Sequence, residues 1–143
     1  MKITEYTIDR YDEVLVLMQK TPGVSIRDAD SREATARYLA RNPSLNFLAE
    51  ENGKIIACAM CGHDGRRGYL QHVIVETEFQ GKGIAHALTE RCLKNLELIG
   101  ILKTHIDVFV TNELANRYWI RRGWKRRDDI FRYSITKDNK ENA

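Results

Sequence analysis

The chain is poor in several features at once, and each shortage excludes something. It holds only three cysteines, an odd number, so no fully paired disulfide framework exists and a reducing compartment fits. Cys58 and Cys61 form a C-x-x-C, but inside the apolar run 55–61. Three residues apart on a strand, they point to opposite faces, which favours core thiols over a redox or zinc pair. No second cysteine pair or set of spaced histidines completes a metal site. No apolar run approaches the ~20 residues of a membrane span, and residues 1–5 carry no signal-peptide pattern. The expected location is therefore the cytoplasm, with no membrane partner. Net charge is only +3, too small an excess to argue for nucleic acid. Internal repeats and low-complexity linkers are absent.

What remains is an ordinary globular composition, with 43% hydrophobic and 30% charged residues in a length that fits one domain, residues 1–143. The small positive excess is not evenly spread. Residues 1–72 carry ten basic and ten acidic side chains, whereas residues 73–143 carry thirteen and ten. A polyanionic ligand therefore fits the second half better.

Patterning predicts a strand over residues 2–8 and a helix over 11–19, which ends at the turn Thr21-Pro22-Gly23. A second helix starts at Asp30, with Glu33 placed to complete a capping box, and stops before Asn42-Pro43. Apolar strands at 46–50 and 54–62 flank Asn52-Gly53, a strong hairpin turn. Another strand covers 69–75, and a helix covers 84–99 with Gly100 as its C-terminal cap. A strand at 104–110, a helix at 112–122 ended by Gly123, and a last strand at 130–135 complete the order, with 137–143 a frayed tail. A hairpin-built sheet with helical crossovers makes an α+β domain of three layers, α/β/α.

Gln80-Gly81-Lys82-Gly83-Ile84-Ala85 is the most informative stretch, because it joins the strand at 69–75 to the long helix. A glycine-containing loop at a helix start is an anion site: unpaired N–H groups converge there and the helix dipole adds positive potential. The spacing matches neither the P-loop nor the three-glycine dinucleotide fingerprint. It does match Gln/Arg-x-x-Gly-x-Gly/Ala. A second stretch, Asn112-Glu113-Leu114-Ala115 through Trp119 to Gly123-Trp124, follows Asn-x-x-Ala-x-x-x-Tyr-x-x-x-Gly-Phe.

Together the two stretches resemble the GNAT superfamily of N-acetyltransferases, over nearly the whole chain. The resemblance implies a mixed, mostly antiparallel sheet with a splayed central strand pair and helices on both faces. It also implies acetyl-CoA as cofactor. The amides of Gly81, Lys82, Gly83, Ile84 and Ala85, behind Gln80, would hold its pyrophosphate. The backbone of Val73 and Val75 would pair with the pantetheine arm as an added strand does, in a slot often opened by a bulge. Asn112, with Ala115 on the same helix, would line the other wall. A backbone N–H near Ile74 or Val75 would polarise the thioester carbonyl. The acceptor would be a primary amine of a small molecule, peptide or protein, attacking directly in a ternary complex. Small members of the family often form homodimers.

One departure from the pattern matters. The family's tyrosine, which commonly protonates the departing thiolate, falls on Trp119, whose indole only donates a hydrogen bond. Tyr118 is adjacent, but one helical residue turns a side chain by ~100°. Acid assistance contributes typically ~10²–10⁴-fold, so its loss need not abolish activity. This departure also motivates an alternative reading, a non-catalytic acyl-CoA-binding regulatory module. His72 is the natural base, since imidazole titrates near neutrality. Strand alternation, however, sets it opposite Gln71 and Val73, so a structural role stands beside the catalytic one. Glu50, Glu51, His63 and Asp64 lie at strand ends or in loops near the expected acceptor mouth. Six basic residues between Arg117 and Arg127, interleaved with Tyr118, Trp119 and Trp124, could imitate a nucleic-acid patch. A solvated helix end plus a charged strand edge is the favoured reading there, with no nucleic-acid partner.

Overall fold

A computed structural model describes all residues, Met1–Ala143. The chain forms two compact units, Met1–Ile106 and Asp107–Ala143. No helix is long and apolar enough to cross a membrane.

The first unit contains β1 (Lys2–Glu5), α1 (Tyr11–Lys20), α2 (Arg32–Arg41), β2 (Phe47–Glu51), β3 (Lys54–His63), β4 (Gly68–Val75), α3 (Ile84–Leu98) and β5 (Thr104–Ile106). The five strands form one sheet in the order β1-β2-β3-β4-β5. The first four run antiparallel, and β5 lies parallel to β4 after the α3 crossover. The β2–β3 turn has Asn52 and Gly53 at φ 52° and 79°, the left-handed pair that a two-residue hairpin requires.

Helices cover both faces of the sheet. On α1, Val14, Leu17 and Met18 fall at helical spacing and bury against Leu48, Ile55, Cys58, Met60 and Ile74. On the opposite face, α3 packs against β2, β3 and β4, burying Leu88, Cys92 and Leu96 completely. Each fully buried leucine contributes roughly 1.5–3 kcal/mol. The three thiols are free and buried, and Cys58 and Cys61 take opposite faces as alternation requires. Cys58 joins the α1 cluster, whereas Cys61 neighbours Cys92 of α3, and this neighbour together with burial raises the Cys92 thiol above its ordinary value. Asn46 is buried and imitates backbone: its Oδ1 accepts from the Cys61 N–H at 2.9 Å and its Nδ2 donates to the Cys61 carbonyl at 3.1 Å.

Beyond shifts of one residue at several ends, three boundaries and one whole strand differ from the sequence pattern. Strand β1 ends at Glu5, where its pairing with Phe47 ends. Helix α2 is capped by Ser31, whose Oγ accepts from the Ala34 N–H at 3.1 Å, and not by Asp30. Strand β5 stops at Ile106 instead of 110, because its ladder to β4 ends there. The strand expected at 130–135 does not form. Its apolar side chains Phe131, Tyr133 and Ile135 stay exposed, and an extended segment without a partner strand has no ladder to hold it.

The second unit is built around α4 (Glu113–Arg121). Asn112 Oδ1 caps it by accepting from the Ala115 N–H at 3.1 Å. The helix ends in a Schellman motif around Gly123. The Gly123 N–H donates to the Ile120 carbonyl and the Trp124 N–H to the Trp119 carbonyl, both at 3.0 Å. The apolar contact that accompanies this motif is made by Trp119 and Trp124, with ring centroids 5.0 Å apart. Residues 137–143 are exposed, with one 3-10 turn at Lys137–Asn139.

Candidate active site

The site is assembled around the C-terminal half of β4. From Gly68 to Leu70 the strand is paired on both sides, with β3 and with β5. Beyond Leu70 the β5 partner is gone, so residues 71–75 have an open edge. On the β3 side the register slips. Met60 faces Gln71 and Cys58 faces Ile74, so Ala59 opposes two residues, His72 and Val73. This is a β-bulge, and His72 occupies it at φ 46°.

The bulge changes the expected parity. Residues opposite one another in a ladder share a face, so Gln71 lies on the α1 side with Met60, and Ile74 lies there with Cys58. An odd and an even position thus share a face across the extra residue. The strict alternation that set His72 opposite both Gln71 and Val73 is therefore broken between positions 71 and 74. The His72 side chain, partly buried, extends to the α1–α2 connection, where its Nε2 meets Asp30 Oδ1 at 2.7 Å. The second carboxylate oxygen of Asp30 accepts from the Arg27 N–H at 2.8 Å. The Asp30 carbonyl accepts from the Tyr11 hydroxyl at 2.6 Å. Burial would raise the Asp30 carboxyl; the hydrogen bonds to His72 and to the Arg27 amide outweigh it and hold the group below the ordinary aspartate value.

At the end of β4 the Glu76 N–H donates to the Ile56 carbonyl at 2.8 Å. Backbone direction alternates along a strand, so the Val75 N–H and C=O point to the open edge. The Val75 carbonyl there accepts from Gln80 Nε2 at 3.1 Å, which ties the glycine loop to the strand. Gly81 and Gly83 adopt φ 79° and 81°, and a Cβ on either would meet no atom within 4 Å. The glycines are thus required by backbone conformation and not by crowding, and the space a Cβ would enter at either one is empty. The amides of residues 81–85 donate to no protein acceptor, and no side chain caps α3. Lys82 sits beside the loop with its Nζ 5.3 Å from the Phe79 ring centroid. Free, converging amides at the start of a 15-residue helix suit a diphosphate.

The structure therefore brings His72, Val73, Ile74, Val75 and the loop 80–85 together. Asn112, Ala115, Tyr118 and Trp119 lie together on α4. There Asn112 Oδ1 is engaged as the helix cap, Trp119 is buried, and Tyr118 stacks edge-on against it with Arg121 and Arg122 over its ring. The other polar candidates near the expected mouth have structural partners. Glu50 pairs with Arg10, and Glu51 pairs with the N-terminal amine at 3.2 Å. His63 Nδ1 accepts from the Gly65 N–H at 3.0 Å, and Asp64 Oδ1 accepts from the Arg66 and Arg67 amides at 2.8 Å. In the basic run, Arg126 and Arg127 each form an ion pair with the aspartate two residues on. Sequence reasoning set Asp30 on the expected acceptor wall but missed its contact with His72, because the two lie 42 positions apart and the local context of Asp30 reads as a helix cap.

A model of the acetyltransferase (GNAT) family matches residues 11–124. An acetyltransferase of Pectobacterium atrosepticum is 33% identical over 113 residues, covering 79% of each chain. Among solved structures, the PaiA N-acetyltransferase of Thermoplasma acidophilum in complex with coenzyme A superposes with TM-score 0.80 at 17% identity. That match covers 89% of this chain and 91% of the other. The ribosomal-protein-S18-alanine N-acetyltransferase of Escherichia coli superposes with TM-score 0.70 at 21% identity, over 85% and 76%.

Proposed function

Because the chain belongs to the acetyltransferase (GNAT) family, we propose that it moves an acetyl group from acetyl-CoA to a primary amine of a small molecule, peptide or protein, by direct attack with both substrates bound. Acetyl-CoA supplies an activated acyl thioester; the amine forms an N–C bond as the C–S bond breaks. The observation that carries this reading is the loop 80–85, with two left-handed glycines and free amides at the start of α3. Lys82 adds positive charge beside it. The open edge of β4 offers the Val75 N–H to the rest of the cofactor, in the manner of an added strand.

An ammonium cannot attack a carbonyl until it loses a proton. We assign that proton to His72, the imidazole at the bulge in β4. Trp119 supplies no acid, and its contact with Trp124 gives it a packing role instead. Thiolate departure then proceeds without acid assistance from α4.

Calorimetric titration with acetyl-CoA tests the cradle. The wild type is expected to bind, and Gly83→Asp, which places a carboxylate among the free amides, is expected to weaken binding at least a hundredfold. A wild type that fails to bind at millimolar ligand overturns the assignment. Thiol release across a panel of primary amines tests turnover, and His72→Gln is expected to lower kcat by about 10²–10⁴-fold. The tryptophan at 119 favours one second reading, an acyl-CoA-binding regulatory module, for which binding without thiol release on any amine is the expected result.

A further inference from the structure

We propose that Asp30 is a positioning residue for His72: its carboxylate accepts from Nε2–H, fixes that tautomer, and leaves Nδ1 as the atom that takes the acceptor's proton. The inference rests on His72 acting as the base.

Three observations carry it. The contact between His72 Nε2 and Asp30 Oδ1, at 2.7 Å, is as short as a charge-assisted hydrogen bond. Both partners are sheltered, with side chains 20% and 12% exposed, so the bond is little weakened by solvent. Each partner is also held independently. Asp30 is fixed through its other carboxylate oxygen by the Arg27 amide and through its carbonyl by the Tyr11 hydroxyl. The Tyr11 ring is in turn covered by the Arg32 guanidinium, 5.0 Å from its centroid. His72 is fixed by the bulge, whose carbonyl also accepts from Cys58 Sγ at 3.2 Å.

The backbone adds an argument. A non-glycine residue at φ 46° stands in the left-handed region, where the Cβ crowds the backbone. Glycine or asparagine would fill this bulge more cheaply. A bulge re-aims a side chain, and here the re-aimed side chain lands on a carboxylate on the turn between α1 and α2. A structural histidine on a sheet face needs no such bend.

The chemistry follows from the inventory of the ring. A neutral imidazole has one donor and one acceptor nitrogen. An ionised carboxylate only accepts, so Nε2 carries the hydrogen and Nδ1 carries the lone pair. The proton leaves the ammonium nitrogen and lands on Nδ1, the Nε2 proton stays in place, and Asp30 remains ionised and stabilises the imidazolium. Asn in place of Asp accepts equally well through oxygen or donates through nitrogen, so the tautomer is no longer imposed and the balancing charge is lost.

Two measurements test this. Long-range 1H–15N spectra of the uniformly labelled protein, which need no acceptor, report the His72 tautomer. The expected result is Nε2–H in the wild type and a mixture in Asp30→Asn; a wild-type Nδ1–H tautomer overturns the proposal. Steady-state kinetics then use acetyl-CoA and the panel amine with the fastest thiol release. Asp30→Asn is expected to lower kcat by about 10-fold or more, between the cost of removing an outer partner of a metal-bound histidine and that of removing the aspartate of a catalytic triad. KM for acetyl-CoA and the melting temperature should stay near wild type. The double variant with His72→Gln should be no slower than His72→Gln alone, because the two act as a unit. A fully additive double variant, or Asp30→Asn within twofold of wild type while His72→Gln is inactive, overturns the role of Asp30 and leaves the base in place. His72→Gln at the wild-type rate overturns the base itself.

Discussion

Gly83 and Gly100 stand at the two ends of α3 with nearly the same backbone, φ 81° and 86°, and at both a Cβ would meet empty space. Their surroundings differ completely. At the C-terminal end, the Gly100 N–H donates to the Glu97 carbonyl at 2.9 Å and the Ile101 N–H to the Leu96 carbonyl at 3.0 Å. Leu96 and Ile101 are both buried, so the orphan carbonyls are closed off and the motif is sealed by an apolar contact. At the N-terminal end, the amides of residues 81–85 donate to no protein group. The end of α4 repeats the closed form with Gly123, Trp119 and Trp124. A left-handed glycine whose neighbours are satisfied ends a helix. One followed by unsatisfied donors leaves a place for a ligand. The open end is the one that needs an external partner to complete its hydrogen bonding.

Breaking the closed end is expected to have the largest effect on stability. Leu96 is fully buried, and Leu96→Ala should cost about 2–5 kcal/mol, read as a fall in the midpoint of urea unfolding. Acetyl-CoA affinity of the protein still folded should be unchanged, since α3's other end is untouched. A parallel loss of affinity would mean that the two ends are not independent.

The contrast sharpens with a matched pair, Gly83→Ala and Gly100→Ala. Each forces an L-residue into the left-handed region and should cost about 1–2 kcal/mol. Only Gly83→Ala places a methyl beside the free amides, so only it should raise the Kd for acetyl-CoA, by tenfold or more, in calorimetric titration. Equal affinities in the two variants would remove the distinction drawn between the ends.

The Trp119–Trp124 contact offers a smaller test. Trp119→Tyr shrinks a buried ring, and an aromatic pair is worth about 0.5–1.5 kcal/mol beyond area burial. The expected result is a loss of about 1 kcal/mol in thermal unfolding. A gain in stability would show that the indole pair does not secure this helix end.

These contrasts also mark what a linear sequence carries. The helices, the Asn52-Gly53 hairpin and the glycine loop were legible because periodicity, turn chemistry and left-handed glycines are local properties. The bulge was not. His72 is neither glycine nor asparagine, and the extra residue is set by how β3 pairs with β4. The ends of β1 and β5 and the fate of 130–135 were hidden for the same reason, since a strand exists only where a partner strand runs beside it. The cap of α2 fell one residue off because Asp30 and Ser31 are both good caps. Contacts with Arg27 and His72 draw the Asp30 side chain away, leaving Ser31 to cap the helix. In the site, the glycine loop was readable and the Asp30–His72 contact was not, because it joins elements that meet only in the fold.

Glu76 provides the last and smallest test, because it braces the open end from behind. It lies just after β4, is 8% exposed, and receives Lys20 Nζ at 2.8 Å and Lys54 Nζ at 3.1 Å on the same carboxylate oxygen. The hydrogen bond from Lys20, then that from Lys54, holds its carboxyl below the ordinary glutamate value against the opposing effect of burial. A carboxyl whose folded-state pKa lies below its unfolded value of about 4.3 contributes stability that is fully present above that value. The contribution is lost as pH falls through the folded-state pKa. Because the lysine side chains are 40% and 60% exposed, solvent screens the pair and its worth is about 1 kcal/mol. Glu76→Gln should therefore lower the melting temperature by a few degrees at pH 7, and the gap to wild type should shrink below about pH 4. A gap that stays constant from pH 7 to pH 3 would show that packing, and not the charge of Glu76, braces the strand end from which the loop departs.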